Sequence, residues 1–397
     1  MPDRRAVIVL GAGIAGAALA YHLAARSLGA VTVVDPRTPS AGATGRAAGI
    51  VTEQLWDRWD FDVVRETRAE YAALAARHDP SAYRTNGFVR WTARADTADA
   101  LDAAGARLGS WGANVRRVGA AEVADLLPPV STEGIRAAWH DPDDAVVTPS
   151  AMTEIYLERA RTAGADLELG APYRGLRRDG DVWRLSVGDR TLSAARVVVA
   201  AGAWSKRILA DAGVPLPLAP YRTQAAVLQP AGPPGRDIPS AHDLDTDVYV
   251  RPEANGRLLA GDGTRLVEVD PDTASLAHDD EFVAHLAESF GERFPGWADA
   301  SLVRAWAGVC VATPDRRPLV GPVPGVDGLY CLTGFNGFGV MRAGGAARRL
   351  AASIAGGDEG PEAAAIAPVR PSRFGPSAPP FTPQPGFTLE SGSTPRF

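Results

Sequence analysis

The sequence predicts an α/β protein, α+β overall, in which a parallel sheet with helices is interleaved with an antiparallel sheet. An apolar run at residues 6–10 leads through a glycine turn into an Ala- and Leu-rich helix, and a second apolar run follows at 31–34. Such runs are typical of strands buried on both faces, and this order is a β-α-β unit. Alternating segments predict the antiparallel strands; they lie near 85–92, 166–177, 182–187, 220–228, 247–251 and 257–260.

The remaining elements return the chain to the parallel sheet. Two more apolar strands are predicted at 196–199 and 328–332, and Gly334 to Gly339 form a turn that opens a helix from about 340 to 354. Further helical patterns fill about 57–78, 96–110 and 149–163. We therefore expect two interleaved domains and a tail: 1–84, 140–218 and 310–370 in the first domain, 85–139 and 219–309 in the second, and a Pro-rich flexible tail at 371–397.

Composition excludes several classes of function. The 397 residues carry a formal net charge of −6 and no basic run, which argues against nucleic acid as a partner. The two cysteines, Cys310 and Cys331, form no disulfide framework and fit a reducing compartment. No stretch reaches the roughly 18 apolar residues of a membrane span, and no signal peptide is recognisable. These observations predict a cytoplasmic protein without a membrane span.

The glycine turn carries the first chemical signal. Gly11, Gly13 and Gly16 directly follow a strand and open a helix, and Asp35 ends the next strand nineteen positions after Gly16. The first glycine permits the tight turn, the second lets a pyrophosphate approach the backbone, and the third lets helix and strand pack closely. An acid at Asp35 accepts hydrogen bonds from a ribose. The motif predicts a dinucleotide site and leaves NAD and FAD as alternatives.

Five ordered segments resemble the D-amino-acid oxidase superfamily of FAD oxidoreductases, especially its glycine oxidase, sarcosine oxidase and dimethylglycine dehydrogenase branches. These segments are Val9–Gly16 with Asp35, Gly42–Gly49, Val197–Ser205, Trp306–Asp315 with Pro318–Gly321, and Thr333–Met341. The resemblance implies a Rossmann-type FAD-binding domain interleaved with a substrate domain built on an antiparallel sheet. It also implies FAD as the cofactor.

The resemblance carries the cofactor contacts over to particular positions. It places 44–49 along the pyrophosphate and isoalloxazine, Tyr173 beside adenine, and the turn at 334–341 near the flavin pyrimidine edge, where a helix N-terminus favours the reduced flavin. The expected cofactor-binding residues are Gly11, Gly13, Ile14, Ala15, Gly16, Asp35, Pro36, Arg37, Thr44, Gly45, Arg46, Ala47, Ala48, Gly49, Ile50, Tyr173, Ala201, Gly202, Trp204, Gly308, Gly334, Phe335, Asn336, Gly337, Phe338, Gly339, Val340 and Met341.

Two positions predict that the flavin is bound without a covalent link. Arg46 occupies the position of the flavin-bearing histidine in the dimethylglycine dehydrogenase branch, and Gly308 that of the flavin-bearing cysteine in monomeric sarcosine oxidases. Cys310 lies two positions further and, on strand alternation, on the same side. A covalent flavin link at Cys310 is one alternative, and a role as a small buried apolar residue is the other.

The substrate side departs from the best-known members of the superfamily. Cys310 matches an arginine that clamps a carboxylate in glycine oxidase, Met341 matches a sarcosine oxidase lysine, and Leu259 matches an oxygen-activating lysine. We therefore expect a secondary or cyclic amine rather than glycine, with oxygen or an electron carrier as acceptor. The expected catalytic-site residues are Tyr249, Trp306, Cys310, Met341 and Arg46, and further candidates are Trp56, Trp59, Arg222 and Arg251.

The expected reaction is FAD-dependent oxidation of a C–N bond to an imine by hydride transfer to flavin N5. Six scattered histidines show no metal spacing, and hydride loss beside a neutral amine needs no side-chain base. One alternative is a flavin monooxygenase, which Gly261-Asp262-Gly263 superficially suggests. Another is a non-catalytic FAD-binding subunit of a complex, since clamp and oxygen-activating residues are missing.

Overall fold

The structure, a computed structural model, describes residues 4–26, 28–55, 57–232, 238–261, 267–357 and 360–375. Trp56, Asp262, Gly263 and residues 376–397 of the predicted tail lie outside these ranges. Among the described residues, no helix is both long and apolar enough to cross a membrane.

The described residues form nineteen strands and nine α-helices. The strands are β1 (Arg4–Leu10), β2 (Val31–Asp35), β3 (Ile50–Val51), β4 (Tyr83–Thr85), β5 (Phe88–Thr92), β6 (Arg116–Arg117), β7 (Ala137–Asp141), β8 (Ala145–Val147), β9 (Asp166–Leu169), β10 (Tyr173–Asp179), β11 (Val182–Val187), β12 (Arg190–Val199), β13 (Ala219–Gln229), β14 (Ser240–Asp243), β15 (Val248–Glu253), β16 (Arg257–Gly261), β17 (Ser301–Ala312), β18 (Leu319–Pro322) and β19 (Leu329–Thr333). The helices are α1 (Ile14–Ala24), α2 (Arg58–His78), α3 (Ala95–Ser110), α4 (Ala120–Leu126), α5 (Pro149–Thr162), α6 (Ser205–Asp211), α7 (Asp280–Arg293), α8 (Gly339–Gly356) and α9 (Pro361–Ala364).

A mixed sheet with a parallel centre carries the predicted β-α-β unit. β1 pairs in parallel with β2 and with β12, β2 pairs in parallel with β9, and β12 pairs in parallel with β19. The apolar runs at 7–10 and 197–199 are buried on both faces, which explains their lack of alternation. β10 and β11 extend this sheet as an antiparallel ribbon, and β18 pairs with β19. The strands from both ends of the chain thus meet in one sheet.

A second sheet has the strand order β17-β13-β16-β15-β14-β5-β7-β6. Its neighbours run antiparallel except β14 and β5, which are parallel. The long pair β13–β17 matches residues 219–229 with 301–312. One face packs on the apolar core that α7 covers, and the other face is left for the cavity described below.

Two predicted boundaries fall inside strands of this second sheet. β7 continues to Asp141, past the boundary at 139/140, and β17 continues to Ala312, past the boundary at 309/310. A sequence pattern marks a strand but does not reveal which sheet its last residues join. The division into two functional domains remains a prediction.

Residues 371–374, which the sequence places in a flexible tail, form regular structure. Pro371–Phe374 form a short 3-10 helix, and Arg373 donates to both carboxylate oxygens of Asp315 at 2.6 and 2.9 Å. Arg373 also donates to the carbonyl oxygen of Arg317 at 2.8 Å. These contacts order the segment despite its composition, because one arginine fork satisfies partners on the preceding loop.

Candidate active site

A cavity of about 1120 Å³ lies between the carboxyl ends of the parallel strands and the open face of the second sheet. It exceeds the roughly 300–1,000 Å³ of most small-molecule sites and therefore suits a cofactor together with a substrate. The expected cofactor-binding residues line this cavity, except Gly16 and Gly45. The five expected catalytic-site residues line it as well.

The glycine turn brings the backbone to the cavity wall. Gly11 has φ +113°, and a Cβ atom there would lie 2.4 Å from the carbonyl oxygen of Ala200. A Cβ atom on Gly16 would lie 1.9 Å from the carbonyl oxygen of Gly11, so Gly16 allows α1 to pack on the turn without lining the cavity. Gly13 is the N-cap of α1, and Ile14 and Ala15 in the first turn of this helix line the cavity, so the helix N-terminus lies at the wall, where an anion would bind.

Asp35 both lines the cavity and fixes the turn. Its Oδ2 accepts from the backbone N–H of Ala12 at 2.8 Å, and its Oδ1 accepts from that of Arg37 at 2.9 Å. A carboxylate has about four lone-pair sites, so two bonds leave capacity for ribose hydroxyls. The structural role of Asp35 was not foreseen from the sequence.

The loop after β2 folds under the cavity and is braced from two sides. Thr44–Arg46 form a 3-10 turn, and Thr44 Oγ1 accepts from the N–H of Ile14 at 3.1 Å. Arg46 turns its guanidinium back onto the carbonyl oxygens of Ala41 and, at 3.0 Å, Gly42. Gly45 faces away from the cavity, because a Cβ atom there would lie 2.5 Å from the carbonyl oxygen of Ser40. The contacts of Arg46 are those of a brace for this loop.

The late glycine-rich turn is held from behind by Asn336. This residue has φ +55°; its Oδ1 accepts from Thr313 N–H at 2.9 Å and its Nδ2 donates to the carbonyl oxygen of Gly334 at 2.6 Å. α8 begins at Gly339 without a side-chain cap, and Met341 lies in its first turn at the cavity. The uncapped N-terminus and the dipole of this 18-residue helix favour negative charge there.

Two aromatic side chains form a wall on the open face of the second sheet. A Cβ atom on Gly261 would lie 2.2 Å from the hydroxyl of Tyr249, which shows that the Tyr249 ring lies across the neighbouring strand. Trp306 Nε1 donates to the carbonyl oxygen of Arg46 at 3.1 Å and thereby joins the sheet to the loop after β2. Gly308 leaves room for Arg46, since a Cβ atom there would lie 3.3 Å from Arg46 Cβ.

Cys310 lines the cavity on the same strand as Trp306 and Gly308. Burial raises the pKa of its thiol to about 11, and the Tyr221 side chain forms a hydrogen bond with it. The thiol is therefore protonated at neutral pH, and a protonated thiol is a poor nucleophile. Tyr221, which the sequence reasoning missed, also lines the cavity beside Gly337.

The opposite end of the cavity carries a polar and aromatic cluster. The Arg37 guanidinium lies 4.1 Å from the ring centroid of Trp204, and Trp204 Nε1 donates to Asp272 at 2.7 Å. Tyr173 begins β10 there, and its hydroxyl donates to Asp211 at 3.1 Å. The cluster surrounds the position at which the resemblance places adenine.

Three further candidates from the sequence do not reach the cavity. Trp59 Nε1 donates to the carbonyl oxygen of Ala365 at 2.9 Å, Arg222 forks onto Asp279, and Arg251 donates to Glu253 at 2.8 Å. Leu259 is buried and does not line the cavity either. Arg222, Arg251 and Leu259 lie on strands of the second sheet, where the pleat turns them away from the open face, whereas Trp59 lies on the helix α2.

The sequence reasoning also missed several charged or titratable residues of the cavity wall. Among them are Arg90 on β5, His242 on β14, and Asp247, whose carboxylate lies 2.9 Å from His242 Nε2. An arginine inside the otherwise apolar run Phe88-Val-Arg-Trp-Thr92 was the one available signal for Arg90. Among the described residues, no group of three or more His, Cys, Asp or Glu side chains is arranged to hold a metal ion.

Several proteins similar to this chain are named as amine or amino-acid oxidoreductases. The chain is 26% identical over 389 residues to mitochondrial dimethylglycine dehydrogenase of Mus musculus, and 28% identical over 387 residues to 4-methylaminobutanoate oxidase (formaldehyde-forming) of Paenarthrobacter nicotinovorans. These matches cover 90% and 92% of this chain but 43% and 45% of the relatives, so the chain spans less than half of their length. Glycine oxidase of Pseudomonas aeruginosa is 27% identical over 362 residues, and this match covers 88% of this chain and 94% of the relative.

Solved structures share the fold over almost the whole chain. L-proline dehydrogenase from P. horikoshii superposes with a TM-score of 0.85 at 23% identity, covering 94% of this chain and 98% of the other. Glycine oxidase from Geobacillus kaustophilus gives a TM-score of 0.81 at 22% identity, covering 94% and 99%. These likenesses confirm the predicted fold class.

The family model described as DAO, FAD dependent oxidoreductase, matches residues 6–353. This match covers most of the chain and includes the glycine turn, Asp35 and the late turn before α8. It confirms the resemblance stated from the sequence and FAD as the cofactor. The chain therefore belongs to the DAO family of FAD-dependent oxidoreductases.

Proposed function

We propose that the protein oxidises a carbon–nitrogen bond in a small amine or amino acid to an imine, which water then hydrolyses. The observation that carries the proposal is one continuous cavity with a dinucleotide-type turn at one end and the aromatic wall of Tyr249 and Trp306 along the other. The cavity is large enough for FAD and a small substrate. A cytoplasmic location and oxygen or an electron carrier as acceptor remain part of this proposal.

The residues at the turn fit FAD. Gly11 and Gly13 leave no side chain between backbone and ligand, Asp35 offers free lone pairs to hydroxyls, and the start of α8 has no side-chain cap over its N–H groups. Bound FAD supplies a two-electron acceptor that takes a hydride from carbon. The helix dipole of α8 stabilises the negative charge that such an acceptor gains.

The chain's own residues orient the amine and exclude water. Tyr249 and Trp306 provide a flat apolar wall that holds the amine beside the cofactor, and the Tyr249 hydroxyl supplies one polar contact. Cys310 remains a neutral thiol, because burial raises its pKa to about 11. A neutral amine loses hydride without a side-chain base, so orientation and desolvation are the main contributions of these groups.

Secondary or cyclic amines are the substrates that the wall favours over glycine. No arginine occupies position 310, so an α-carboxylate beside the reacting carbon lacks a bidentate partner there. Two of the relatives named above act on N-methylated amines, dimethylglycine and 4-methylaminobutanoate. This supports an N-alkyl amine as substrate.

An anaerobic panel of amines tests the proposal. We expect an N-alkyl or cyclic amine to bleach the oxidised flavin absorbance of the purified protein, and glycine to bleach it more slowly. Deuterium at the carbon next to nitrogen should then slow the bleaching in stopped flow. If NADPH bleaches the flavin and no amine of the panel does, amine oxidation is the wrong reaction. If a confirmed substrate shows no isotope effect under conditions where chemistry limits bleaching, hydride loss from that carbon is excluded.

We predict that FAD is bound without a covalent link. Arg46 and Gly308 offer no nucleophile, and the raised pKa of Cys310 keeps its thiol protonated. Precipitation with acid should therefore release the yellow cofactor into the supernatant. Flavin that stays with the pellet in wild type and leaves it in Cys310→Ser would instead identify Cys310 as the attachment site.

A further inference from the structure

Arg90 is a buried arginine that lines the cavity. Its exposed fraction is 8%, its Nη1 donates to the carbonyl oxygen of Gln54 at 3.0 Å, and its Cζ lies 5.4 Å from the ring centroid of Phe88. Its Nε finds no hydrogen-bond partner, and no carboxylate in the described part of the chain forms an ion pair with it. Most of the donors of this side chain are therefore unused by the protein.

A buried charge without a counter-ion is costly, so it calls for an explanation. Burial lowers the pKa of Arg90 to about 10, which still leaves the guanidinium charged at neutral pH. The two carboxylates that influence Arg90 most, Asp144 and Asp247, are engaged elsewhere. Asp144 accepts from Thr52 and from the N–H of Glu53, and Asp247 pairs with His242. Neither supplies a direct partner.

The sheet register places Arg90 in line with the aromatic wall. Arg90 is the cross-strand partner of His242, and His242 is the partner of Tyr249. Cross-strand partners project from the same face of a sheet. Two strand spacings separate the backbones of Arg90 and Tyr249, which is about 10 Å. The row Tyr249, His242 and Arg90 therefore runs from the proposed position of the reacting amine to a guanidinium that has no carboxylate partner.

We propose that Arg90 is a specificity-determining residue that binds a carboxylate of the substrate at a distance from the reacting C–N bond. The substrate class is an N-alkyl amino acid in which several carbons separate the amine from the carboxylate. This inference rests on the proposed function, since it takes the amine beside Tyr249 as the reacting group. Arg90 replaces, at the far end of the row, the clamp that Cys310 does not provide.

The test compares a carboxylate with its neutral isostere on the flavin-loaded protein. The probes are 4-(methylamino)butanoate and 4-(methylamino)butanamide, with N-methylglycine as the short anion. Wild type should favour the long carboxylate over the amide by at least about tenfold in apparent affinity, because charge-assisted hydrogen bonds are strong. Arg90→Gln should abolish this preference, Arg90→Lys should restore part of it, and both should weaken binding of the carboxylate more than binding of the amide.

Arg222→Gln is the matched control, because Arg222 lies in the same sheet, pairs with Asp279 and does not line the cavity. It should keep the preference of wild type. Equal losses for carboxylate and amide in Arg90→Gln would show that Arg90 acts through packing, and that result overturns the inference. If Arg90→Gln does not fold, the wild-type preference and Arg90→Lys decide: equal affinity of wild type for the two long probes overturns the inference.

Calorimetric binding of butanoate, which has no amine to oxidise, separates this inference from the proposed function. Butanoate that binds wild type and fails to bind Arg90→Gln supports the anion site even if every amine proves inert, in which case the proposed function alone fails. If amines are oxidised equally well by wild type and Arg90→Gln, the proposed anion site is wrong and the proposed function stands. Butanoate that binds both proteins equally contradicts the role of Arg90.

Discussion

Replacing Asp35 with alanine should weaken FAD binding at least about tenfold. Each charge-assisted hydrogen bond from a ribose hydroxyl to this carboxylate is worth about 1.5–3 kcal/mol. The variant also loses the bonds from the N–H groups of Ala12 and Arg37, so the glycine turn loses part of its support. The first effect removes contacts of the bound state and the second raises the cost of ordering the turn around FAD, so both lower the affinity.

Reconstitution of the apoprotein with FAD, followed by flavin fluorescence, measures this change. Asp35→Asn separates the two contributions, because an amide oxygen still accepts one backbone N–H while the charge is gone. Asp181→Ala, at an exposed turn between β10 and β11, is a control that should bind FAD as wild type does. An unchanged dissociation constant for Asp35→Ala would show that Asp35 makes no net contribution to FAD binding.

Local backbone requirements explain why the cofactor end of the cavity could be predicted from the sequence. The tight turn at Gly11 and the contact of Gly16 with Gly11 are dictated by residues within one β-α-β unit. The acid at the end of β2 belongs to the same unit. The pattern of small residues therefore indicated the fold class and the position of the cofactor site.

The substrate end depends on residues far apart in the sequence, and here the prediction was incomplete. Arg90 and Tyr249 lie on β5 and β15, which both pair with β14. No local sequence pattern reveals that these two strands share a neighbour. Arg222 and Arg251 lie on predicted strands, yet they pair with Asp279 and Glu253 outside the cavity. The face to which a strand residue points depends on the register of the whole sheet.

The buried ion pair between α2 and α8 should give the largest stability effect in the chain. Arg342 is fully buried; its Nη2 donates to Asp60 Oδ2 at 2.9 Å, and its Nε lies 2.8 Å from Asp60 Oδ1. Arg342 Nη1 also donates to the carbonyl oxygen of Phe335 in the turn before α8, at 3.2 Å. The pair therefore connects the helix α2 to the cavity wall.

Asp60→Ala should lower the free energy of unfolding by about 3–5 kcal/mol, because it leaves the buried guanidinium of Arg342 without its carboxylate partner. Urea denaturation followed by tryptophan fluorescence measures this change. Asp62→Ala is the control: Asp62 pairs with Arg58 on the exposed side of α2, and exposed pairs contribute less than about 1 kcal/mol. The double variant Asp60→Leu/Arg342→Met should recover most of the loss, since it leaves no buried charge.

Arg342→Met should cost less than Asp60→Ala, and its cost should depend on pH. Burial raises the pKa of Asp60 to about 6 even beside Arg342, and removing the arginine raises that pKa further. The folded variant then holds a proton that the unfolded chain releases near pH 4, so its free energy of unfolding falls as pH rises from about 4 through 6. Asp60→Ala lacks this carboxyl group and should not show the fall. Equal pH profiles for the two variants would mean that Asp60 stays ionised without Arg342 and that water or another cation reaches it.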